Sequence, residues 1–246
     1  MSKNYELLRE TGKDLDLFKP DAAESTSVSA VPAHLNGGGR VREEVMRLIQ
    51  RTFLTGSPGA PRFVVFTGVD HGNGCSWVCA RAAEALAAHV EGTVCVVEAN
   101  LNTQSLHRYF GVTRGGGVAD ATLKRGPLHK LAQSIRGTNL YLMPGQALCS
   151  DNSGAMNPEH LKSRFAELCA EFSYVLVDAP PASESAESLV FGRLAEGVVL
   201  VIEAHATRRE SARKVKENLE AANVRLLGAV LNKRTFPIPE SLYGKL

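Results

Sequence analysis

Residues 62–77 read Arg-Phe-Val-Val-Phe-Thr-Gly-Val-Asp-His-Gly-Asn-Gly-Cys-Ser-Trp, a β-branched run followed by a glycine-rich loop. The run over 62–67 is typical of a buried strand, and the Ala-rich pattern from Ser76 to His89 is typical of a helix. In a parallel sheet, ligands bind beyond the carboxyl ends of strands, where this loop falls. Its glycines allow backbone N–H groups to face an anion, and the helix N-terminus adds about half a positive charge. The stretch therefore predicts a phosphate site.

The same alternation continues on both sides of the loop. We expect further strands at residues 93–98, 140–143, 174–178, 198–203 and 227–232, and helices at 42–53, 158–172 and 208–222. Strands and helices in alternation predict an α/β fold of the P-loop kind, with three layers and a mostly parallel sheet covered by helices on both faces. We expect a flexible segment over residues 1–39, a compact domain over 40–235 and a tail over 236–246.

Composition excludes several classes of protein. The 246 residues are 44% hydrophobic and 22% charged, as in ordinary globular proteins, and the net charge is only +2. This charge gives no global reason to bind nucleic acid, and no apolar run approaches the roughly 20 residues that cross a bilayer. The five cysteines are an odd number in core-like surroundings, which indicates reduced thiols. We therefore expect a cytoplasmic protein with no nucleic-acid partner and no direct membrane insertion.

The loop matches a Walker A motif only in part. The complete form, G-x-x-x-x-G-K-[ST], uses the Lys to reach the phosphates and the hydroxyl to hold magnesium. Gly74 and Ser76 fit this form, but Val69 stands in place of the first Gly and Cys75 in place of the Lys. Removing one such electrostatic donor typically lowers turnover by about 10²–10³. From these residues alone, a phosphate site and a plain glycine-rich turn both remain open.

Two cysteines lie on the predicted helix after the loop. Cys75 and Cys79 are four residues apart and share one helix face, with Cys75 at the positive end, where the pKa of a thiol tends to fall. A redox switch on the loop is one interpretation. Packing of two small side chains under the loop is favoured, because Cys is among the most buried residue types.

Three later segments resemble motifs of bacterial tyrosine kinases. Residues 94–101, Val-Cys-Val-Val-Glu-Ala-Asn-Leu, resemble the Walker A′ motif, and residues 174–181, Tyr-Val-Leu-Val-Asp-Ala-Pro-Pro, resemble the Walker B strand. Residues 227–233 resemble the strand and loop that approach adenine. Order and spacing agree over roughly residues 40–235, so the chain is similar to the CpsD/CapB family of tyrosine autokinases. That family regulates capsule and exopolysaccharide synthesis and is related to the MinD/ParA P-loop ATPases.

The resemblance implies a site for ATP or ADP with Mg²⁺. The residues that it places around the nucleotide are Gly72, Asn73, Gly74, Cys75, Ser76, Trp77 and, near the base, Asn232. It assigns the metal to Ser76 and Asp178, and catalytic roles to Glu98 and Asp178. The sequence departs from the family at the residues that phosphoryl transfer requires. Cys75 replaces the family's lysine, and Glu98 and Asn100 replace its two Walker A′ aspartates.

The resemblance also implies partners. A membrane-bound activator of polysaccharide export would recruit the chain to the inner face of the cell membrane. Residues 44–50, Glu-Val-Met-Arg-Leu-Ile-Gln, resemble the family's E-x-x-R-x-x-R oligomerisation helix, but Gln50 breaks the pattern, so a homo-oligomer and an ordinary amphipathic helix both stay open. Tyr243 in the tail is either a phosphate acceptor or, the favoured interpretation, an aromatic that docks the terminus.

Three functions are compatible with the sequence. The favoured one is a nucleotide-binding relative of the tyrosine autokinases, catalytically impaired, that regulates polysaccharide synthesis and export. The second is an active ATP-dependent autokinase, in which another cation replaces the missing ammonium group. The third is a protein-interaction module that does not bind nucleotide.

Overall fold

The computed structural model describes residues 39–54, 59–103, 105–112, 128, 131–144 and 158–234. All of these residues lie within one compact unit of the chain. The expectations for the N-terminal segment, for the tail and for Tyr243 lie outside the described residues. No described helix combines the length and the apolar character that crossing a membrane requires.

The described residues form a sheet of seven strands in the order β3-β4-β2-β5-β1-β6-β7. Every neighbouring pair is parallel except β3 and β4. The predicted mostly parallel sheet is therefore confirmed. The strands are β1 Phe63–Gly68, β2 Val94–Glu98, β3 Gln133–Ser134, β4 Leu140–Pro144, β5 Tyr174–Asp178, β6 Gly197–Glu203 and β7 Leu226–Asn232.

Helices pack on both faces of this sheet, as predicted. Side chains of β1 alternate between the faces: Phe63 and Val65 join one hydrophobic cluster, and Val64 and Phe66 join the other. The first cluster includes residues of α4, α5 and α6, and the second includes residues of α1 and α2. The helices are α1 Gly39–Thr52, α2 Cys75–Ala87, α3 Leu106–Tyr109, α4 Pro158–Glu171, α5 Glu187–Leu194 and α6 Arg209–Ala221.

The strand order brings three strand ends together. Asp178, the last residue of β5, is the register partner of Phe66 on β1 and of Glu98 on β2. The loop that follows β1 and the ends of β2 and β5 therefore meet at the carboxyl edge of the sheet, where an open α/β sheet binds its ligands.

Candidate functional site

The loop between β1 and α2 has the backbone of an anion-binding turn. Gly72 and Gly74 have φ of 81° and 82°, in the left-handed region that favours glycine. Helix α2 begins directly afterwards at Cys75, so the positive end of its dipole faces the loop. A Cβ on Gly74 would collide with the side-chain amide of Asn232. Glycine is thus required at position 74 for both conformation and space.

Asn73 fixes the base of the loop to the neighbouring strand. Its side chain is buried, and its Nδ2 donates to the carbonyl of Val201 on β6 at 3.1 Å. The same side chain occupies the space that a Cβ on Gly68 would need. The side chain of Asn73, a residue that the family resemblance placed around the nucleotide, therefore supports the loop from beneath.

The end of β7 holds the loop from a second side. Asn232 Nδ2 donates to the carbonyl of Asn73 at 2.9 Å, and Lys233 Nζ donates to the carbonyl of Gly72 at 2.6 Å. Lys233 also forms an ion pair with Glu203 at the end of β6, at 3.2 Å. Asn232 thus stands beside the loop. The contact of Lys233 with the loop was not predicted from the sequence. The position of Lys233 directly after Asn232, at the end of a strand, could have indicated it.

The segment after β5 is tied to β1. Thr67 Oγ1 donates to the carbonyl of Pro180 at 2.7 Å, and the hydroxyl of Ser188 on α5 donates to the same carbonyl. The amide of Ala182 donates to the carbonyl of Gly68 at 2.8 Å. Both hydroxyl groups are fully buried. These bonds set the position of the β5 end relative to the loop.

Asp178 and Asn100 carry buried oxygens that suit a cation. The amide of Asn100 donates to the carbonyl of Asp178 at 2.9 Å, and the two side chains are only 8% and 1% exposed, respectively. Oδ1 of each is buried without a hydrogen-bond partner among the described residues. Buried acceptors are nearly always paired, so these two oxygens are available to ligate a cation. Oxygen donors are those that Mg²⁺ prefers.

Burial also changes the ionisation of Asp178. Removal from water raises its pKa to about 7, hydrogen bonds from Ser76 and Cys75 oppose the rise, and the nearby Glu98 adds to it. Ser76 therefore lies in contact with the Asp178 carboxyl group. A bound cation would favour the ionised form.

The described residues include no cluster of three His, Cys, Asp or Glu side chains that could hold a metal. The protein thus offers a few oxygens, from Ser76, Asp178 and Asn100. That number fits Mg²⁺, which usually keeps several waters and takes further ligands from substrate phosphates. The residues present fit a nucleotide-bound magnesium ion better than a metal held by the protein alone.

Glu98 has a structural contact in addition to its place at the site. Its Oε1 accepts a hydrogen bond from the amide of Leu106 at 2.6 Å, at the N-terminus of α3. The Nδ1 of His107 lies 3.8 Å from the same oxygen. Glu98 and Asp178 therefore lie side by side at the ends of adjacent strands, and Glu98 also anchors the short helix α3.

The two thiols of α2, Cys75 and Cys79, are held in the protonated, unreactive form. Burial first, and then the charge of Asp178, raise the pKa of both Cys75 and Cys79 well above the usual range. The expected lowering by the helix N-terminus is thus outweighed. Cys79 is fully buried, while Cys75 and Trp77 are half-buried and pack against the cluster between α2 and the sheet. These environments support the packing interpretation.

Comparisons with known proteins agree with this geometry. No protein-family model matches the chain. It is 27% identical over 169 residues to the tyrosine-protein kinase YwqD of Bacillus subtilis, which covers 69% of this chain and 71% of that protein. It is 20% identical over 222 residues to the putative tyrosine-protein kinase CapB of Staphylococcus aureus, which covers 90% of this chain and 97% of that one.

Solved structures show the same fold. The chimerical protein CapA2B2 superposes with a TM-score of 0.72 at 19% identity, over 86% of this chain and 92% of that one. The kinase domain of the Escherichia coli tyrosine kinase ETK gives 0.67 at 19% identity, over 89% and 88%. A ParA-family ATPase of Chlorobium tepidum gives 0.56 at 19% identity, over 70% and 74%. The P-loop fold and the resemblance to bacterial tyrosine kinases are confirmed.

Proposed function

We propose that this relative of the bacterial tyrosine-protein kinases binds ATP or ADP with Mg²⁺ and regulates capsule or exopolysaccharide synthesis, with impaired phosphoryl transfer. The observation that carries the proposal is the pair of buried, unpartnered oxygens on Asn100 and Asp178 beside the glycine loop. A cation that arrives with nucleotide phosphates would give both oxygens a partner.

The chain's own groups would divide the work of binding. Backbone N–H groups around Gly72 and Gly74 and the positive end of α2 would hold the phosphates. Ser76 and Asp178 would hold the metal, directly or through water, with the Asn100 amide oxygen beside them. When bound, Mg²⁺ neutralises phosphate charge and orients the phosphates. Asn232 would lie near the base.

Impaired transfer follows from the loop's side chains. Position 75 carries a protonated, neutral thiol where the motif has an ammonium group, so the developing phosphoryl charge loses its usual donor. Asn100 supplies an oxygen but no charge. A second candidate, an active autokinase, is favoured by one observation: the ammonium group of Lys233 already lies on the loop.

Because the chain is similar to tyrosine-protein kinases, we also propose a protein partner. We place the chain inside the cell, at the inner face of the membrane, recruited by a membrane-bound activator of polysaccharide export. Co-purification with membranes that carry or lack such an activator tests this part. Recovery of equal amounts from both membranes would contradict it.

Titration with a fluorescent ATP analogue tests nucleotide binding. We expect saturable binding with Mg²⁺, weaker binding without it, and a loss of the Mg²⁺ dependence in Asp178→Ala. Anti-phosphotyrosine detection after incubation with Mg-ATP should give no signal. A signal that disappears in Asp178→Ala would support the active autokinase, and the absence of saturable binding would leave the interaction module.

A further inference from the structure

Lys233 places a positive charge next to the glycine loop, in which Cys75 replaces the lysine of the Walker motif. Its Nζ lies 2.6 Å from the carbonyl oxygen of Gly72. Its Cε lies 3.8 Å from the position that a Cβ on Gly74 would take, and Gly74 directly precedes Cys75. The side chain therefore lies along the loop, from beside Gly74 to the carbonyl oxygen of Gly72.

The backbone at Lys233 is unusual in a way that produces this approach. Its φ is 55°, in the left-handed region that a non-glycine residue rarely adopts and that costs on the order of 1 kcal/mol or more. This residue follows β7 directly, and it is the one whose side chain contacts the loop. Backbone strain of this kind is concentrated at functional sites.

The ammonium group is also prepared for an anion. Glu203 pairs with it at 3.2 Å, and the lysine side chain is 47% exposed, so the group is both positioned and reachable. An ammonium nitrogen has three donors, and Gly72 and Glu203 account for two of them. Phosphate oxygens at the loop would compete with the Glu203 carboxylate for the same charge.

We propose that Lys233 contacts the nucleotide phosphates and takes over, within the same chain, the binding role of the missing Walker lysine. This inference rests on the proposed nucleotide binding. It assigns Lys233 as a phosphate-binding residue, and Glu203 as the residue whose carboxylate competes with phosphate for the ammonium group. The alternative is that Lys233 only holds the loop in shape or lies against the base.

The test measures the dissociation constants of Mg-ATP, Mg-ADP and adenosine for the full chain. Lys233→Gln removes the charge but keeps a donor for the Gly72 carbonyl, and we expect it to weaken Mg-ATP binding about tenfold or more while adenosine binding stays within about twofold. Lys233→Arg should retain most of the Mg-ATP affinity. The matched control is Lys216→Gln, an exposed lysine on α6 that pairs with Glu220, and it should change nothing.

Two further variants separate charge from structure. Cys75→Lys, added to Lys233→Gln, should restore Mg-ATP affinity because it returns an ammonium group to the loop. Glu203→Gln should strengthen Mg-ATP binding several-fold, and this gain should disappear in the Lys233→Gln background. A loop that needed the ion pair for its shape would instead bind more weakly in Glu203→Gln.

The outcomes are distinct. Saturable Mg-ATP binding that Lys233→Gln leaves unchanged would overturn the role of Lys233 and leave the proposed function standing. Equal weakening for Mg-ATP and adenosine would place Lys233 at the base or in loop support, and would also overturn it. Absence of Mg-ATP binding by the wild-type chain would overturn both proposals. If Lys233→Gln does not fold, as judged by circular dichroism, the sign of the Glu203→Gln effect decides.

Discussion

Substitution of Gly74 by Ala tests whether the loop is held in place by Asn232. The position has φ of 82°, and the new Cβ would displace the side-chain amide of Asn232, which donates to the carbonyl of Asn73. Two costs therefore arise together. An alanine in the left-handed region costs roughly 1–2 kcal/mol, and the lost hydrogen bond costs roughly 0.5–1.5 kcal/mol.

The chain supplies a matched control two residues earlier. Gly72 has φ of 81°, and nothing lies within 4 Å of the position of its Cβ. Gly72→Ala should therefore lower the free energy of unfolding only by the cost of the left-handed backbone. We expect Gly74→Ala to be the less stable variant by roughly 0.5–1.5 kcal/mol, the value of the hydrogen bond.

Urea unfolding at fixed pH without nucleotide measures the difference, and thermal unfolding should show it as roughly 2–4 °C per kcal/mol for a domain of this size. Asn232→Ala supplies the third comparison, because in its background the two glycine variants should be equally stable. Equal stability of Gly72→Ala and Gly74→Ala in the wild-type background would refute the reasoning.

The raised pKa of Asp178, about 7 because of burial, means that the folded chain keeps a proton that the unfolded chain releases near pH 4, so stability without metal should fall from about pH 4 to pH 7. Urea unfolding between pH 4 and pH 7 should show a smaller loss of stability in Asp178→Asn than in the wild-type chain. An equal loss in both would contradict the prediction. Thr67→Val removes a buried bond to the Pro180 carbonyl and should cost about 0.5–1.5 kcal/mol by the same measurement, whereas no loss would mean that the bond contributes nothing. Cys75 should react with iodoacetamide at pH 7.5 more slowly than free cysteine, because burial and the charge of Asp178 keep its thiol protonated, and a faster reaction by mass spectrometry would restore the redox interpretation.

Much of the fold could be predicted because its signals are local. The β5 strand, Tyr174–Asp178, was predicted with its observed ends, since a short β-branched run is typical of a strand covered on both faces. Helix α5, Glu187–Leu194, and strand β3, Gln133–Ser134, were not predicted. The helix is short and contains Gly192, which packs closely against Val224 and Val198, and the strand has only two residues. The helix is stabilised by a segment more than 30 residues later in the chain, whereas β3 pairs with the nearby β4 and is too short to give a pattern.

The site was predictable in its residue types but not in its contacts. The glycines and Asp178 could be placed by the end of a strand and the start of a helix. The contact between Lys233 and Gly72 could not, because it joins residues 161 apart and depends on a left-handed backbone at the lysine. A helix N-terminus tends to lower the pKa of a thiol, but at Cys75 burial outweighs the dipole and raises the pKa. Such balances require the packed structure.

The carbonyl of Pro180 accepts two hydrogen bonds, and this makes the β5 side of the site stiffer than the β7 side. Two buried hydroxyls, on β1 and α5, converge on one carbonyl, so the wall formed by β1 and the end of β5 is cross-braced. The opposite wall, at β7, grips the loop by a side-chain amide and a half-exposed lysine. We expect binding at the loop to alter the β7 side of the site more than the β5 side. Hydrogen exchange with and without Mg-ATP should then change more in β7 than in β5.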